Sequence, residues 1–417
     1  MGRLLTACLA ACAMLPPPAW SQAPSRQQVT AGIDLALVKT SGLESWTEGS
    51  VGKLRYDEDG LILSRAFLDY RAGLADTVDV SVAVEIYDDE LGSPLDVTEA
   101  YLEWRPVPRS ANRYRIKAGA FYPRISFENT EPGWGSPYVL NSSTINTWVA
   151  EEVRTVGAEF SWTRRLSSPG VRHEFGVQLA AYAANDPIGT LLTWKGWSAH
   201  DRQSRFSDRL PLPPLPQIQP GGVLASQAPY TTPFREVDNR IGYYINAEWR
   251  FGNRLQARAM RYDNRADPEA ERNGQYGWYT EFNHLGLKAA LPGDVGLIAQ
   301  WMGGTTVMGS PTGDIYPVDV EYDSRFVLLS RSFDAHRLSL RYENFHARDR
   351  DMTPDDDNSE AGLAWTASWR YRFSDRLSVA TEWLSIKTSR ASWSYFDLGP
   401  TATEQQLQLS LLVRFAR

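Results

Sequence analysis

Apolar residues alternate with polar or small residues over many strand-length stretches of the chain. In residues 78–86 four valines and an isoleucine share one parity, while the other parity includes Asp79, Ser81 and Glu85, and residues 407–415 repeat the plan. Side chains of a β-strand point alternately to two faces. Each stretch therefore has one apolar and one polar face, which predicts β-structure but fits a soluble sandwich as well as a membrane barrel.

The lengths of the connections separate these two possibilities. Sixteen strands can be placed, and every second connection is a tight turn such as Gly252–Asn253, with a somewhat longer exception at 164–170. The connections between these turns are long, polar and rich in Gly, Pro and Asp. Short turns on one side and long loops on the other are typical of an outer-membrane barrel, and strands of about ten residues suit a tilted bilayer crossing. The predicted strands span residues 29–39, 61–73, 76–87, 96–107, 112–121, 153–163, 171–183, 237–251, 254–263, 278–290, 294–303, 322–333, 336–346, 361–373, 376–386 and 405–415.

Aromatic residues cluster at both ends of these strands. Trp104 and Phe415 end strands that run in one direction, and Tyr87 and Trp383 end strands that run in the other. Strands favour aromatic residues in any case, but two rings of them at opposite ends indicate two membrane interfaces. The sequence therefore predicts an all-β transmembrane antiparallel β-barrel of about 16 strands, with long extracellular loops and short periplasmic turns.

The first 23 residues have the features of a cleavable export signal. Arg3 is followed by the uncharged stretch Leu4–Leu15, and 21–23 reads Ser-Gln-Ala, a small-x-small cleavage site. The apolar stretch is too short to span a bilayer, and no later run of eighteen apolar residues follows it. We predict a signal peptide at 1–23 and a single barrel domain at 24–417, located in the bacterial outer membrane.

Composition narrows the function further. The net charge of −7 disfavours a nucleic-acid partner. Both cysteines, Cys8 and Cys12, lie in the signal, so neither disulfides nor thiol metal sites are expected in the mature chain. The stretch Leu9–Cys12 also resembles a lipobox, which leaves a lipoprotein with a very short signal as a minor alternative. Fifteen Trp, 19 Tyr and 15 Phe in a chain with a mean hydropathy of −0.39 suit aromatic girdles around a polar lumen.

No pattern in the chain indicates catalysis or a cofactor. The five histidines are scattered, with none in a catalytic or metal-ligating motif. The acidic run Asp349–Asp357 lacks the glycine and final glutamate of a calcium loop, so we interpret it as a solvated loop that Mg²⁺ could bridge to lipopolysaccharide. We predict that the protein is not an enzyme and holds no metal or cofactor. An outer-membrane phospholipase with residues drawn from distant strands is the weaker alternative.

Two segments carry a resemblance to a known family. Gln405–Phe415 is an alternating closing strand that ends on an aromatic residue, although Ala416 and Arg417 follow where many members end on that residue. Together with Ile145–Gly157, it makes the mature chain resemble the phosphate-selective porin O and P family of Gram-negative bacteria. The resemblance implies a sixteen-stranded trimeric barrel whose third long loop, here 122–152, folds inward as the constriction. Relatives pass phosphate, polyphosphate or organic acids, so the solute stays open.

The third long loop and the polar strand faces hold the candidate site residues. Folded inward, the loop would set Arg124 against Glu128 and Glu131 at the channel constriction; outside, it would be a surface lid. Arginine binds phosphate and carboxylate through a rigid fork of donors, so a ladder of arginines would guide anions. Acids on the same faces leave the alternative that arginines and acids pair and stiffen the wall. The predicted channel-lining residues are Arg65, Arg105, Arg115, Lys117, Arg240, Arg258, Arg325, Arg341 and Arg370.

The leading hypothesis is a porin for passive diffusion of small hydrophilic solutes, general or mildly anion-preferring. Its expected partners are small anions such as phosphate or organic acids, outer-membrane lipid and lipopolysaccharide, and two further copies in a homotrimer. Lysine is rare, which argues against a dedicated phosphate channel. A plugged barrel acting as a receptor or adhesin through loop 184–236 is the second hypothesis, and a secreted β-protein such as an enzyme or lectin is the third.

Overall fold

Sixteen antiparallel strands form one closed barrel in the computed structural model, which describes residues 27–168 and 171–416. Each strand pairs with its neighbours in the sequence, and β16 pairs with β1 to close the barrel. The predicted signal peptide 1–23 and Arg417 lie outside the described residues. The strands are β1 Gln27–Ser41, β2 Gly60–Ala75, β3 Val78–Ile86, β4 Leu95–Trp104, β5 Asn112–Phe121, β6 Thr155–Ser168, β7 Val171–Ala183, β8 Gly242–Phe251, β9 Leu255–Asp263, β10 Tyr279–Leu291, β11 Val295–Met308, β12 Val318–Phe333, β13 His336–Asp349, β14 Glu360–Arg372, β15 Leu377–Arg390 and β16 Thr401–Ala416.

The predicted fold class is confirmed, and the sixteen predicted strands correspond one to one with the observed ones. Three boundaries differ by five residues: the end of β6, which is Ser168 and not 163, and two boundaries where strands join long loops. The strand predicted from residue 237 starts at Gly242, because the preceding residues belong to the neck of a long loop, whereas β11 continues to Met308 beyond the predicted end at 303. Alternation locates a strand well, but it does not show where the strand leaves the membrane.

Long and short connections alternate around the barrel as predicted. The tight turns contain residues with positive φ, such as Gly252 (53°) and Asp334 (50°), which short hairpin turns require. The long loops all lie at the opposite end, and we number them L1 to L8. They span residues 42–59 (L1), 87–94 (L2), 122–154 (L3), 184–241 (L4), 264–278 (L5), 309–317 (L6), 350–359 (L7) and 391–400 (L8).

The outer face of the barrel is mainly apolar. Large side chains such as Leu102, Phe160, Leu285 and Leu409 are between 41% and 53% exposed on it. Lipid cannot hydrogen-bond to a free strand edge, so only a closed barrel can present such a surface to a bilayer with strands. The chain is therefore a transmembrane barrel of the bacterial outer membrane. Among the described residues, no helix is long and apolar enough to cross a membrane.

Two of the long loops fold into the barrel. L3 contains helix α1, Thr144–Glu152, and L4 contains helix α2, Thr190–Trp194. Every residue of both helices is buried. The remaining elements lie in loops: two short strand pairs, Leu210–Pro211 with Tyr230–Thr231 and Glu271–Arg272 with Gln275–Tyr276, and the 3-10 turns Trp46–Glu48, Pro216–Ile218 and Ala391–Phe396.

Candidate channel and its inner loops

L3 crosses the lumen from β5 to the opposite wall. The backbone N–H of Phe127 donates to Gln300 on β11 at 2.9 Å, and that of Thr144 donates to Glu343 on β13 at 2.7 Å. Asn141 donates from its backbone to Glu382 on β15 at 2.8 Å. The loop thus lies inside the barrel, as the inward-folding interpretation of 122–152 predicts.

Four of the arginines predicted to line the channel instead hold L3 in place. Each donates to a backbone carbonyl of the loop, and each also pairs with a carboxylate. Their side chains are between 0% and 16% exposed. The carbonyl partners are Gly133 for Arg65, Ile125 for Arg258, Asn141 for Arg341 and Ser136 for Arg370.

Arg341 on β13 is the centre of this anchoring. Its side chain is fully buried, donates to Glu343 at 2.8 Å and pairs with Glu128 of L3. Glu128 in turn accepts hydrogen bonds from the backbone N–H of Ser143, the N-cap of α1, and from the side chain of Asn146, both at 2.9 Å. A carboxylate at a helix N-terminus satisfies donors that lack a partner in the helix. Glu128 therefore fixes the start of α1 and does not face open water.

The end of α1 binds L4. Glu151 pairs with Lys195 and with His200, the latter at 2.7 Å. Burial raises the pKa of Glu151, but Lys195 and His200 more than offset this and hold it at about 2. Glu152 accepts a hydrogen bond from the backbone of Leu191 in α2 at 3.1 Å, and burial raises its pKa to about 7. The two inner loops are thus joined through adjacent carboxylates of one helix.

Aromatic side chains fill the centre of the barrel around Trp148 of α1. Its ring centre lies 6.1 Å from that of Trp197 in L4, 5.5 Å from Phe282 on β10 and 5.3 Å from Tyr322 on β12. These residues belong to one buried cluster that joins L3, L4 and the wall. The part of the lumen between α1 and strands β7 to β15 is consequently packed with side chains.

Open volume remains on the other side of L3, against strands β1 to β6. This cavity holds about 500 Å³, and its lining includes Gln203 of L4. Charged side chains of both signs line it. The basic ones are Arg71, Arg115, Lys117 and Arg124, and the acidic ones are Asp69, Glu99, Glu131 and Glu159.

Most of these charges already have partners. Glu159 binds Arg115 at 3.0 Å, and Glu99 accepts a hydrogen bond from the backbone N–H of Tyr122 at 2.8 Å. Within the described part of the chain, Lys117 has no carboxylate within 4.0 Å; its ammonium lies 4.5 Å from the ring centre of Tyr101. Lys117 therefore leaves a positive charge available to a solute in the cavity.

A buried cluster of ion pairs adjoins the cavity where L1, L2 and L4 meet. Tyr87 accepts a hydrogen bond from the backbone N–H of Gln203 at 2.9 Å, and its ring lies about 5 Å from each of three guanidinium groups. All three arginines pair with aspartates. The pairs are Arg55–Asp201 at 2.9 Å, Arg202–Asp89 at 2.8 Å and Arg205–Asp208 at 2.9 Å. This cluster packs L1, L2 and L4 against one another beside the cavity.

The predicted constriction residues do not meet as a single ring. Arg124 is half-exposed in the cavity and lies 4.0 Å from Glu248 on β8. Glu131 faces the same cavity but pairs with Arg370 at 3.4 Å. Glu128 is buried on the other side of L3 with Arg341. Of the two glutamates expected opposite Arg124, only Glu131 faces the same cavity.

Two predicted lining residues lie elsewhere on the molecule. Arg325 shares its parity with the outward-facing Val327 and is exposed on the outer wall, because the face of β12 turned to the lumen carries Phe326 and Leu328. Arg240 lies in the neck of L4 and pairs with Asp267 of L5. Of the others, Arg115 and Lys117 face the cavity, and Arg105 lies just beyond the end of β4, at the short-turn mouth of the lumen.

Sequence reasoning missed the residues that hold L3 from the wall. Glu343 and Glu382 share the polar parity of their strands and were treated only as possible partners of arginine. Glu343 does bind Arg341, but both carboxylates also accept hydrogen bonds from the backbone of 140–144. The sequence did contain a signal for this role. Glutamates lie on the lumen-facing positions of strands opposite L3, and L3 contains a helix with a serine N-cap.

Asp186, Glu236 and Asp238 at the neck of L4 form the one group of three possible metal ligands within the described ranges, with ligand atoms within 4.8 Å of one another. Asp186 accepts a hydrogen bond from the backbone N–H of Val237 at 2.5 Å, and Glu236 accepts one from that of Ala184 at 2.8 Å. These hydrogen bonds account for the grouping, because they join the two ends of L4 at its neck.

The acidic run in L7 is only partly solvated, which corrects its interpretation as a solvated loop. Asp355 is exposed, but Asp356 is 2% exposed, and one of its carboxylate oxygens has no hydrogen-bond partner among the residues described. Its other oxygen accepts from Gln217 of L4 and from Asn358. Burial raises the pKa of Asp356 to about 8.

We expect the contact between L7 and L4 to loosen as the pH rises. Between the ordinary aspartate pKa and about 8, the folded loop binds a proton that the open loop releases, so closure weakens as the pH approaches 8 and changes little above it. Hydrogen exchange of residues 354–359, corrected for intrinsic rates, should show about tenfold lower protection at pH 9 than at pH 6.5. Asp356→Asn should markedly reduce this change, whereas the exposed control Asp355→Asn should retain it in full. Equal pH dependence in both variants would contradict the assignment.

Comparison with known proteins identifies similar folds but no related sequence. No protein-family model matches the chain. No curated protein sequence matches it. The solved structure of in-vitro folded OmpT, an outer membrane protein of Vibrio cholerae, is 10% identical, with a TM-score of 0.51 over 96% of this chain and 100% of that chain. The outer membrane channel DcaP of Acinetobacter baumannii is 10% identical, with a TM-score of 0.50 over 94% and 97%. An anion-selective porin from Comamonas acidovorans is 12% identical, with a TM-score of 0.48 over 94% and 100%. At these identities the similarity concerns the fold alone, which is that of a closed β-barrel of the outer membrane.

Proposed function

We propose that the protein is an outer-membrane porin through which small hydrophilic solutes diffuse passively along a narrow route. The observation that supports this most directly is the polar cavity of about 500 Å³ between strands β1 to β6 and L3. Such a space, lined by charges of both signs, suits hydrated solutes and not an apolar ligand. The proposed role involves no catalysis, and it agrees with the resemblance to the phosphate-selective porin O and P family, of which this chain would be a distant member.

The route should admit smaller solutes than a general diffusion porin does. L3 and L4 fill the central lumen, and the ion-pair cluster around Tyr87 adjoins the remaining cavity. We therefore expect discrete but small conductance steps in planar bilayers, with liposome swelling by monosaccharides and not by oligosaccharides. Absence of any conducting step from the folded barrel would refute the channel.

We further propose a mild preference for small anions, including phosphate and organic acids. Glu99, Glu131 and Glu159 are held by L3 or by arginines, whereas Lys117 lacks an acidic partner and Arg124 has one only at 4.0 Å. Among the described residues, the fourth acid of the lining, Asp69, has no cationic partner within 4.0 Å, so the loosely held charges of the cavity are two cations and one acid. Anions attracted to the two cations would be concentrated at the narrow part of the route.

Replacing Lys117 should weaken this preference. We expect Lys117→Gln to lower the anion-to-cation permeability ratio about twofold, measured as the reversal potential under a salt gradient, because one unpaired charge leaves the cavity. Lys117→Arg keeps the charge and should keep the ratio. Arg331→Gln makes the same charge change on the outer wall and serves as the matched control. A ratio unchanged by Lys117→Gln would remove the support for anion preference.

A plugged barrel that acts as a receptor or adhesin remains the second candidate, and one observation favours it. Residues 188–205 of L4 are buried inside the barrel. Arg209 and other residues further along the loop reach the surface. A barrel closed in this way would bind partners through its exposed loops and admit no sugar. The liposome swelling experiment separates the two candidates.

A further inference from the structure

Arg154 is a fully buried arginine at the end of L3, in the short segment that joins α1 to β6. Its guanidinium carbon lies 3.4 Å from the ring centre of Phe234 and 3.8 Å from that of Phe206. Both rings belong to L4. Because the planar guanidinium group stacks favourably on aromatic faces, Arg154 is held between two different parts of that loop.

The charge of Arg154 has no counter-ion. Within the part of the chain that the structure describes, no carboxylate lies within 4.0 Å of it, and its Nε and Nη2 atoms have no hydrogen-bond partner. Its Nη1 atom donates to the backbone carbonyls of Thr98, at 2.8 Å, and of Ser204, at 3.4 Å. Keeping a buried charge without a counter-ion is costly. Arg202 and Arg205, which are buried nearby in L4, pair with aspartates instead.

The guanidinium group lies directly behind the lining of the polar cavity. Thr98, whose carbonyl it binds, is a lining residue, and so is Tyr122, whose ring centre lies 6.0 Å from the guanidinium carbon. A charge acts over a longer distance inside a protein than in water, because its surroundings are less polarisable. Arg154 therefore raises the electrostatic potential at this end of the cavity, where it opposes the negative charge of the lining acid Glu99.

We infer that Arg154 is a specificity-determining residue of the channel, a fixed cation that favours the passage of small anions without touching them. The inference rests on the proposed function and adds a third cation to Lys117 and Arg124. Packing alone does not require an arginine at this position, since an uncharged side chain of similar length would fill the space between the rings without burying a charge. Dissolved ions cannot reach a side chain that is 0% exposed, so salt should screen Arg154 less than Lys117.

Reversal potentials under a gradient of KCl test the inference with the full chain in planar bilayers. Arg154→Met keeps an unbranched side chain between the rings and removes the charge, so the anion-to-cation permeability ratio should fall about twofold. This fall should persist when the mean salt concentration is raised from about 0.1 M to about 1 M, whereas the fall caused by Lys117→Gln should largely disappear. Arg154→Lys keeps the charge and should keep most of the ratio.

The outcomes separate this inference from the proposed function. An unchanged ratio in Arg154→Met, together with the expected fall in Lys117→Gln, would overturn the inference and leave the anion preference intact. If neither variant lowers the ratio, the anion preference fails as well. Equal losses in Arg154→Met and Arg154→Lys would show that the residue acts by packing L4, which also contradicts the inference. Arg154→Gln, which can still donate to the carbonyl of Thr98, should repeat the result of Arg154→Met, so the test does not depend on the folding of one variant.

Discussion

Removal of residues 187–234 should raise the single-channel conductance about fivefold, because conductance follows the cross-section of the open lumen. The backbone N–H of Asp186 donates to the carbonyl of Arg235 at 3.2 Å, so the neck of L4 is already closed at these two residues. A linker of two glycines can therefore join them without moving β7 or β8. The deletion takes away α2 and Trp197, which contacts Trp148 in the centre of the barrel.

The result also distinguishes the two candidate functions. A porin should conduct before the deletion and conduct more after it, whereas a plugged barrel should conduct only after it. Removal of 311–315 at the tip of L6, which is exposed outside the barrel, is the matched control and should leave conductance unchanged. A folded deletion variant with the conductance of the full chain would show that L4 does not limit passage.

The sequence allowed the barrel to be predicted because its determinants are local. The parity of 78–86 and the turn residues of Gly252–Asn253 act within a few positions, and each strand repeats them. The barrel then forms when each strand pairs with the next in the sequence and the last strand pairs with the first. The inward position of L3 was predicted only through the family resemblance, since its polar composition fits an outer lid equally well.

The site was less predictable because its contacts join distant parts of the chain. Arg341 and Glu128 are 213 positions apart, and nothing near either residue shows that they pair. Arg325 was assigned to the lumen because a charged residue on a barrel wall is expected there. Arg325 instead lies exposed on the outer wall. Alternation gives the face of a residue reliably only where the neighbouring positions of that parity are clearly apolar.

Replacement of Arg341 by alanine should be the most damaging single change to the inner loop. The substitution removes donors to Glu343, Thr366 and the carbonyl of Asn141, and it leaves Glu128 and Glu343 buried without their cation. Breaking a buried ion pair by removing one partner costs about 3–5 kcal/mol. Because the barrel wall keeps its own hydrogen bonds, we expect this cost to fall mainly on the docking of L3.

The variant should therefore insert as a barrel but show flickering steps of larger conductance, together with faster proteolysis of 122–154. Arg372→Ala, at the exposed periplasmic end of β14, is the matched control and should behave as the unmodified chain. Adding Glu128→Gln to Arg341→Ala removes one stranded charge and should restore part of the stability of L3, since the amide can still accept from the N-terminus of α1. If Arg341→Ala conducts with the steady steps of the unmodified chain, the position of L3 does not depend on Arg341, and the aromatic contacts of Trp148 hold the loop by themselves.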